Sequence, residues 1–390
     1  MRNGIHPIPP EDHIEFLRLS EFAFQYESNE EERQRKTAIL KQDEMWGYYV
    51  EGNLAAKLML LPLAVNIGER LFAMGGIASV STWPEYRRNG FVGQLLKQSF
   101  RQMREAGQSL SMLSPFSYAF YRKYGYEIYT DVKTYELDLS LIPPLPDPAG
   151  SFERTRDVKL LREIYDVYSR RYSGMLARSE EWWDRLLEKR NSTIAVWRDK
   201  QGTPRGYIKY VIQQYEMKVH EWIYLDEEAR MALLKWISQH DSMCGKVTMK
   251  APADDALSFL LPNPRFKQEA APYFMARIVD AEAFVRDYPF RSGGRTELFL
   301  NLEDTHADWN AGSFLLTVDA EGKGKLERVS TASDSGQTLS CTIQTLAALL
   351  MGYLSPTALL RMGRLSGDED AARQLEDRLP GLTPYLTDFF

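Results

Sequence analysis

The sequence has 390 residues and a formal net charge of −6, with 44% hydrophobic and 26% charged residues, an ordinary soluble composition long enough for two or three domains. From residue 301 onward 13 acidic residues stand against 7 basic ones, a net of −6, so the first 300 residues are neutral overall. That balance leaves no basic footprint for nucleic acid, and an acidic C-terminal third suits either a cationic ligand or a solubilising surface.

The two cysteines, Cys244 and Cys341, form neither a disulfide framework nor a CxxC site, which fits a reducing cytoplasm. The N-terminus, MRNGIHPIPPEDHIEF, lacks the apolar core of a signal peptide. The most apolar run, LAAKLMLLPLAV, is too short to span a bilayer and contains Lys57 and Pro62. It reads as a buried strand, and no membrane partner is expected.

In chain order, residues 12–26 carry apolar side chains at helical spacing, and ESNEEERQRK (27–36) reads as a charged helix end or a loop. MWGYYVEG predicts a strand and turn, followed by two long strands meeting near Glu69 and Arg70. Gly75 and Gly76 are expected to mark a bulge in the second of these. Then comes YRRNGFVGQLL, whose apolar positions Phe91, Val92, Leu95, Leu96, Ser99, Phe100 and Met103 share one helical face. SLSMLSP predicts another strand. LIPPLPDPAG, with four prolines in ten residues, is a boundary.

Beyond it TIAVWRD, a long hairpin, EEARMALLKWI and VTMKAPAD repeat the order strand, hairpin, helix, strand. The strand-to-helix junction there, YLDEEARM, carries acids where the first unit carries arginines. A third segment starts near Asp287, with strands ELFLNL, SFLLTVD, GKLERVS and TLSCTIQ and helices TLAALLMGYL and EDAARQLEDRL. The first of these helices has no charge and reads as buried, or as lining a lipid-like cavity.

The loop before the first unit's main helix is a candidate anion site. Backbone N–H groups at a helix N-terminus are unpaired and favour negative charge. Gly90 permits close approach, and Arg87 and Arg88 supply charge, so a diphosphate is a natural guest. Neither GxGxxG nor GxxxxGKS is present, which leaves out Rossmann and P-loop chemistry.

With this loop following a strand that ends Val80-Ser81-Thr82, the sequence resembles the GNAT N-acetyltransferases, whose R/Q-x-x-G-x-G/A signature binds the pyrophosphate of acetyl-CoA. The matching stretch is Arg87-Arg88-Asn89-Gly90-Phe91-Val92, followed by Gly93, with Val92 departing from the small residue of the signature. Arg-Arg-x-Gly before bulky apolar residues resembles the Eis-like branch (enhanced intracellular survival proteins), and SPFSYAFYRKYGYE resembles its strand-then-Tyr segment ending in F/Y-G-Y. The resemblance implies an α+β fold: tandem GNAT domains with mixed central sheets, at 1–145 and 146–286, the second degenerate. A C-terminal sterol-carrier-protein-like (SCP2-like) α/β domain follows at 287–390.

The activity it implies is transfer of acetyl from acetyl-CoA, without metal, to primary amines of cationic, aminoglycoside-like molecules or of lysine side chains, in a cytoplasmic homohexamer. The cofactor would lie on Val80, Ser81, Thr82, Arg87, Arg88, Asn89, Gly90, Phe91, Val92 and Gly93, with Tyr121 and Arg122. Tyr126 matches the motif's tyrosine and is the expected general acid, although Tyr118, Tyr121 and Tyr124 crowd the same segment. A tyrosine of pKa about 10 can protonate a departing thiolate of pKa about 8.5. In this family the carboxylate of the C-terminal phenylalanine reaches the active site, and this chain ends Phe389-Phe390. An α-carboxylate, ionised at neutral pH, can take up the proton of the attacking ammonium. Strand backbone near Val80 can hydrogen-bond the thioester carbonyl.

The histidines (His6, His13, His220, His240, His306) show no metal spacing. Neither cysteine carries a nucleophile's neighbourhood. Ser79 and Ser81 read as packing or as cofactor-orienting residues. The alternative function is a lipid or acyl-CoA carrier, or an acyl-CoA sensor, with a vestigial acetyltransferase domain, for which Val92 leaves room.

Overall fold

The computed structural model describes residues 1–188, 191–330 and 337–390. The first unit runs β1 (Gly4–Pro7), α1 (His13–Phe24), α2 (Glu30–Ala38), β2 (Met45–Val50), β3 (Asn53–Ile67), β4 (Arg70–Thr82), α3 (Phe91–Glu105), β5 (Leu110–Leu113), α4 (Tyr118–Arg122) and β6 (Glu127–Asp138). The second runs β7 (Gly150–Arg154), α5 (Val158–Ser169), β8 (Ser173–Leu176), α6 (Glu180–Glu188), β9 (Thr193–Asp199), β10 (Pro204–Gln213), β11 (Glu216–Tyr224), α7 (Glu227–Ser238), β12 (Lys246–Ala251), α8 (Leu257–Leu260) and β13 (Lys267–Ile278). The third holds α9 (Ala281–Asp287), β14 (Thr296–Glu303), β15 (Gly312–Val318), β16 (Gly324–Arg328), β17 (Thr338–Thr342), α10 (Ile343–Leu350), α11 (Pro356–Arg361), β18 (Leu365–Gly367) and α12 (Glu369–Arg378).

Local chemistry explains the elements that matter here. The charged stretch after α1 is helical because Asn29 and Glu32 form a reciprocal capping box, each side chain accepting the other's backbone N–H. In α3, Leu95, Leu96, Ser99, Phe100 and Met103 are buried as their spacing predicts, while Phe91 and Val92 are half-buried at the helix mouth. Gly75 lets the helix settle on the sheet, since a Cβ there would run into Met103.

The strands of the first two units make one sheet in the order β1-β2-β3-β4-β5-β13-β6-β12-β11-β10-β9-β7, with β8 on the side of β3. The units exchange strands. Strand β13 lies antiparallel between β5 and β6, and β6 lies between β13 and β12. The proline-rich stretch is therefore a connection and not a break in hydrogen bonding. The third segment adds a five-stranded sheet, β16-β15-β14-β17-β18. Helix α10 is a core element between this segment and the large sheet, sharing one apolar cluster with Phe274 and Ala276 of β13. Its end, with Leu379 and Leu382, lines a cavity of about 260 Å³ whose wall also holds Arg291 and Glu376. Among the described residues, no helix is long and apolar enough to cross a membrane.

The bulge expected at Gly75 and Gly76 lies elsewhere. Those glycines pair in register with Pro62 and Leu61, and the register slips between Ala78 and Ser81. Ser79 carries the strain of the extra residue, with φ +54.

Candidate active site

Strand β4 and its parallel neighbour β5 part company at Ile77 and Leu113, where their pairing ends. Beyond that point β4 continues to Thr82, held on its other edge by β3 up to the pair Ala56 and Thr82. Among the described residues the edge facing β5 is therefore free of a strand from Ala78 onward. An extended chain can add there by main-chain hydrogen bonds, as an extra strand would.

The open edge leads to the loop before α3. Gly90 caps that helix in a left-handed conformation, φ +77, without a side-chain cap and with no acid in the first turn. Arg88 is also left-handed, φ +67, and the Asn89 amide donates to the Tyr86 carbonyl at 3.2 Å. Arg87, Arg88, Asn89 and Gly90 are exposed. Phe91 stacks on Tyr48 at 4.0 Å. The departure at Val92 is offset one residue on: Gly93 is buried, and a Cβ there would meet the Tyr124 hydroxyl. An uncapped helix start flanked by two exposed guanidiniums fits a diphosphate. The second unit's equivalent is closed, because the Asp226 carboxylate caps the Ala229 N–H at 2.8 Å and pairs with Arg205.

A cavity of about 450 Å³ opens beside the β4 edge. Its wall includes Ile77, Ala78, Ser79 and Val80 of β4, Ser114, Pro115 and Phe116 after β5, Tyr121 of α4, and Phe389 with Phe390 at the chain's end. Val80, Tyr121 and Phe390 are thus brought together. Ser81 is buried behind, its hydroxyl directed to the Ser79 carbonyl at 3.3 Å, and Thr82 is half-buried.

Two sequence assignments do not reach this cavity. Tyr126 is fully buried and packs on Phe100 and Tyr121. The Ser111 hydroxyl donates to the Gly75 carbonyl at 2.8 Å, so Tyr126 donates its own proton to Ser111 Oγ at 2.7 Å. Burial pushes its pKa up. Tyr121 is on the cavity wall instead, with its hydroxyl unbonded among the described residues and its pKa likewise raised by burial. Arg122 is committed to Glu127 at 2.7 Å, and its carbonyl accepts from Gln344.

The residues that sequence reading missed are those holding the tail. Asp388 is fully buried against the Arg178 guanidinium (3.0 Å) and the Trp182 indole N–H (2.8 Å), and the Tyr165 hydroxyl donates to it. Arg178 also pairs with Glu221, which accepts from Tyr207 at 2.9 Å. Tail residues Thr383 and Tyr385 exchange backbone hydrogen bonds with Ser173. The Phe390 ring then lies on Phe274 at 5.0 Å and on Gly76, where a Cβ would clash with it. These partners stand 206 and 210 residues apart in sequence, and no local spacing signals them.

The chain is similar to known proteins along its whole length. Residues 4–129 and 174–278 each match an acetyltransferase (GNAT) domain, and residues 281–387 match a sterol carrier protein domain. A solved structure from Enterococcus faecalis V583, described as a "Probable N-Acyltransferase", is 30% identical, covers 99% of both chains and superposes with a TM-score of 0.92. Eis1 from Mycobacterium abscessus shares the fold at 21% identity, with a TM-score of 0.81 and 99% of each chain covered. A protein of Streptomyces avermitilis described as an uncharacterized N-acetyltransferase is 24% identical over 99% of this chain and 98% of its own. Two GNAT domains, a sterol carrier protein domain and an end-to-end relative at 30% identity make the chain a member of the GNAT N-acetyltransferases of Eis-like build.

Proposed function

We propose that the chain transfers an acetyl group from acetyl-CoA to a primary amine at the cavity between β4, Tyr121 and Phe390. The observation that carries this is the convergence of a free strand edge, an unbonded tyrosine hydroxyl and the chain's own end on one cavity. Arg87, Arg88 and the N–H groups from Gly90 onward hold the pyrophosphate. The pantetheine lies along β4, and the bulge at Ser79 and Val80 offers N–H to the thioester oxygen as negative charge develops there.

The amine nitrogen bonds to the carbonyl carbon and the carbon–sulfur bond breaks. The Phe390 carboxylate takes the first proton of the ammonium, Tyr121 gives its own proton to the departing thiolate, and the resulting tyrosinate takes the second nitrogen proton as the amide forms. Burial keeps the Tyr121 hydroxyl protonated before the transfer, which makes it a weaker acid as well, so a nitrogen proton must replace the one it gives.

Release of free CoA thiol from acetyl-CoA and an amine tests the assignment. Tyr121→Phe should lower kcat about 10²-fold, the range of a lost general acid, with the KM for acetyl-CoA little changed. Tyr126→Phe should cost far less, since its hydroxyl serves Ser111. A chain ending at Phe389 should lose most activity while still binding CoA. Loss with Tyr126→Phe and not with Tyr121→Phe would return the acid role to Tyr126. Full activity without Phe390 would remove the carboxylate from the mechanism.

A further inference from the structure

The wall of the acceptor cavity differs from what a polycation needs. Its six rings are Phe24, Tyr26, Phe116, Tyr121, Phe389 and Phe390. Three of them are exposed although large and apolar: Phe24 at 52%, Phe116 at 67% and Phe389 at 67%. Phe116 is braced by Phe120 and Tyr121, each at 5.2 Å. Among the described residues no Asp or Glu side chain lines the cavity. Of the acids near it in the chain, Glu21 on α1 pairs with Arg33 at 3.0 Å, Asp388 is locked to Arg178 and Trp182, and Glu27, next to Tyr26, is exposed and outside the wall. On the acetyl-transfer reading, the counter-charge at the wall is the main-chain carboxylate of Phe390.

A ligand with several ammonium groups would have to strip them of water against this wall with one counter-charge between them, which is costly. A ligand with a single ammonium meets that carboxylate, gains cation–π attraction from the ring faces and buries an apolar body on the exposed rim. Exposed aromatic patches at a cavity mouth mark a binding surface.

We propose that the acceptor is a monoamine carried on an aromatic or bulky apolar body, an arylalkylamine, and not an aminoglycoside or polyamine. This rests on the acetyl-transfer reading and narrows its substrate. The balance is R–NH₃⁺ plus acetyl-CoA giving R–NH–COCH₃, CoA thiol and one proton released through the Phe390 carboxylate to solvent.

The test is thiol release with phenethylamine and tryptamine against spermidine and kanamycin. The arylalkylamines should show kcat/KM at least about 10-fold higher. Phe116→Ala, at an exposed site where the fold is not at risk, should raise the KM for phenethylamine about 10-fold and that for ethylamine much less. Equal or better use of spermidine or kanamycin overturns the proposal, as does a Phe116→Ala loss that is the same for every amine. If the chain binds acetyl-CoA but acetylates no amine, the acetyl-transfer reading fails. The acceptor class is then read by calorimetry on the CoA complex, where spermidine binding without phenethylamine binding overturns it.

Discussion

Lys57 takes no part in the proposed proton transfers, yet its Nζ is fully buried beside them. It donates to Ser20 Oγ at 2.6 Å, Ser79 Oγ at 2.7 Å and the Ser79 carbonyl at 3.1 Å, and it lies 3.6 Å from the centre of the Phe16 ring. Ser79 is the left-handed residue of the β4 bulge. Lys57 therefore ties down the strained turn on the cavity wall. Burial holds its pKa well below the usual lysine range. The unfolded chain then binds more protons than the folded one, so stability rises as pH climbs from the folded pKa toward about 10.4. At neutral pH the residue costs stability, which fits a functional role. Lys57→Met should leave the melting temperature at pH 7 equal or higher, with the difference shrinking toward pH 10. It should lower kcat about 10-fold or more through the misplaced bulge. A melting temperature and a kcat that fall together would make Lys57 an ordinary structural residue. The sequence showed Lys57 only as a charge interrupting an apolar strand, because its three partners come from α1 and the far side of a hairpin.

At the scale of elements, local periodicity revealed the first unit's strands β2 to β5, the second unit's β9 to β12, the third segment's β14 to β17 and helices such as α3, α7, α10 and α12, but it left out β6, β7, α5, α6 and, above all, β13. Its first half is polar and exposed, Pro272 interrupts it, and only Phe274–Ile278 is continuously buried. A run that changes character midway matches neither an alternating nor an apolar template. Its insertion between β5 and β6 was unreadable too, because pairing register between distant strands leaves no trace in either one. Glu136 marks that exchange. Its carboxylate accepts from Lys246 of β12 at 2.8 Å and Lys267 of β13 at 3.0 Å, and the two ammonium groups, Lys246 first, hold its pKa down to about 2. The folded state binds this proton less readily than the unfolded one, so the stabilisation is present above about pH 4.3, the ordinary glutamate value, and is lost as pH falls toward 2. Glu136→Gln should lower the urea midpoint slightly at pH 7, leave it unchanged near pH 2, and lose its effect in 1 M salt because the site is open to solvent. An effect that persists in high salt or at low pH would mean that the carboxylate acts through packing.

Across the whole molecule, three segments bear on one candidate cavity. The first unit supplies the loop and the open edge, the second grips the tail, and the third supplies the tail itself. His306 of the third segment also reaches back, donating to the Lys123 carbonyl at 2.6 Å and stacking on Tyr124, whose hydroxyl abuts Gly93. The family motif pointed to the Arg87–Gly93 loop and the terminal phenylalanine, but not to the residues that hold that phenylalanine in place. A chain end frays unless it is tied, and the tie here is Asp388. Removing its carboxylate leaves Arg178 still paired with Glu221, so the cost is that of buried donors such as the Trp182 indole losing their acceptor, about 1–3 kcal/mol each. Asp388→Asn keeps the shape and should cost less than Asp388→Ala, but both should free the last residues. Carboxypeptidase should then trim the variant and spare the intact chain, and kcat should fall toward that of the chain lacking Phe390 while CoA affinity holds, because Arg87 and Arg88 are untouched. A variant that resists trimming and keeps its kcat would show that Ser173, Thr383 and Tyr385 suffice to place the tail. A variant that loses CoA affinity as well would mean that the buried cluster supports the first unit's loop and not only the chain's end.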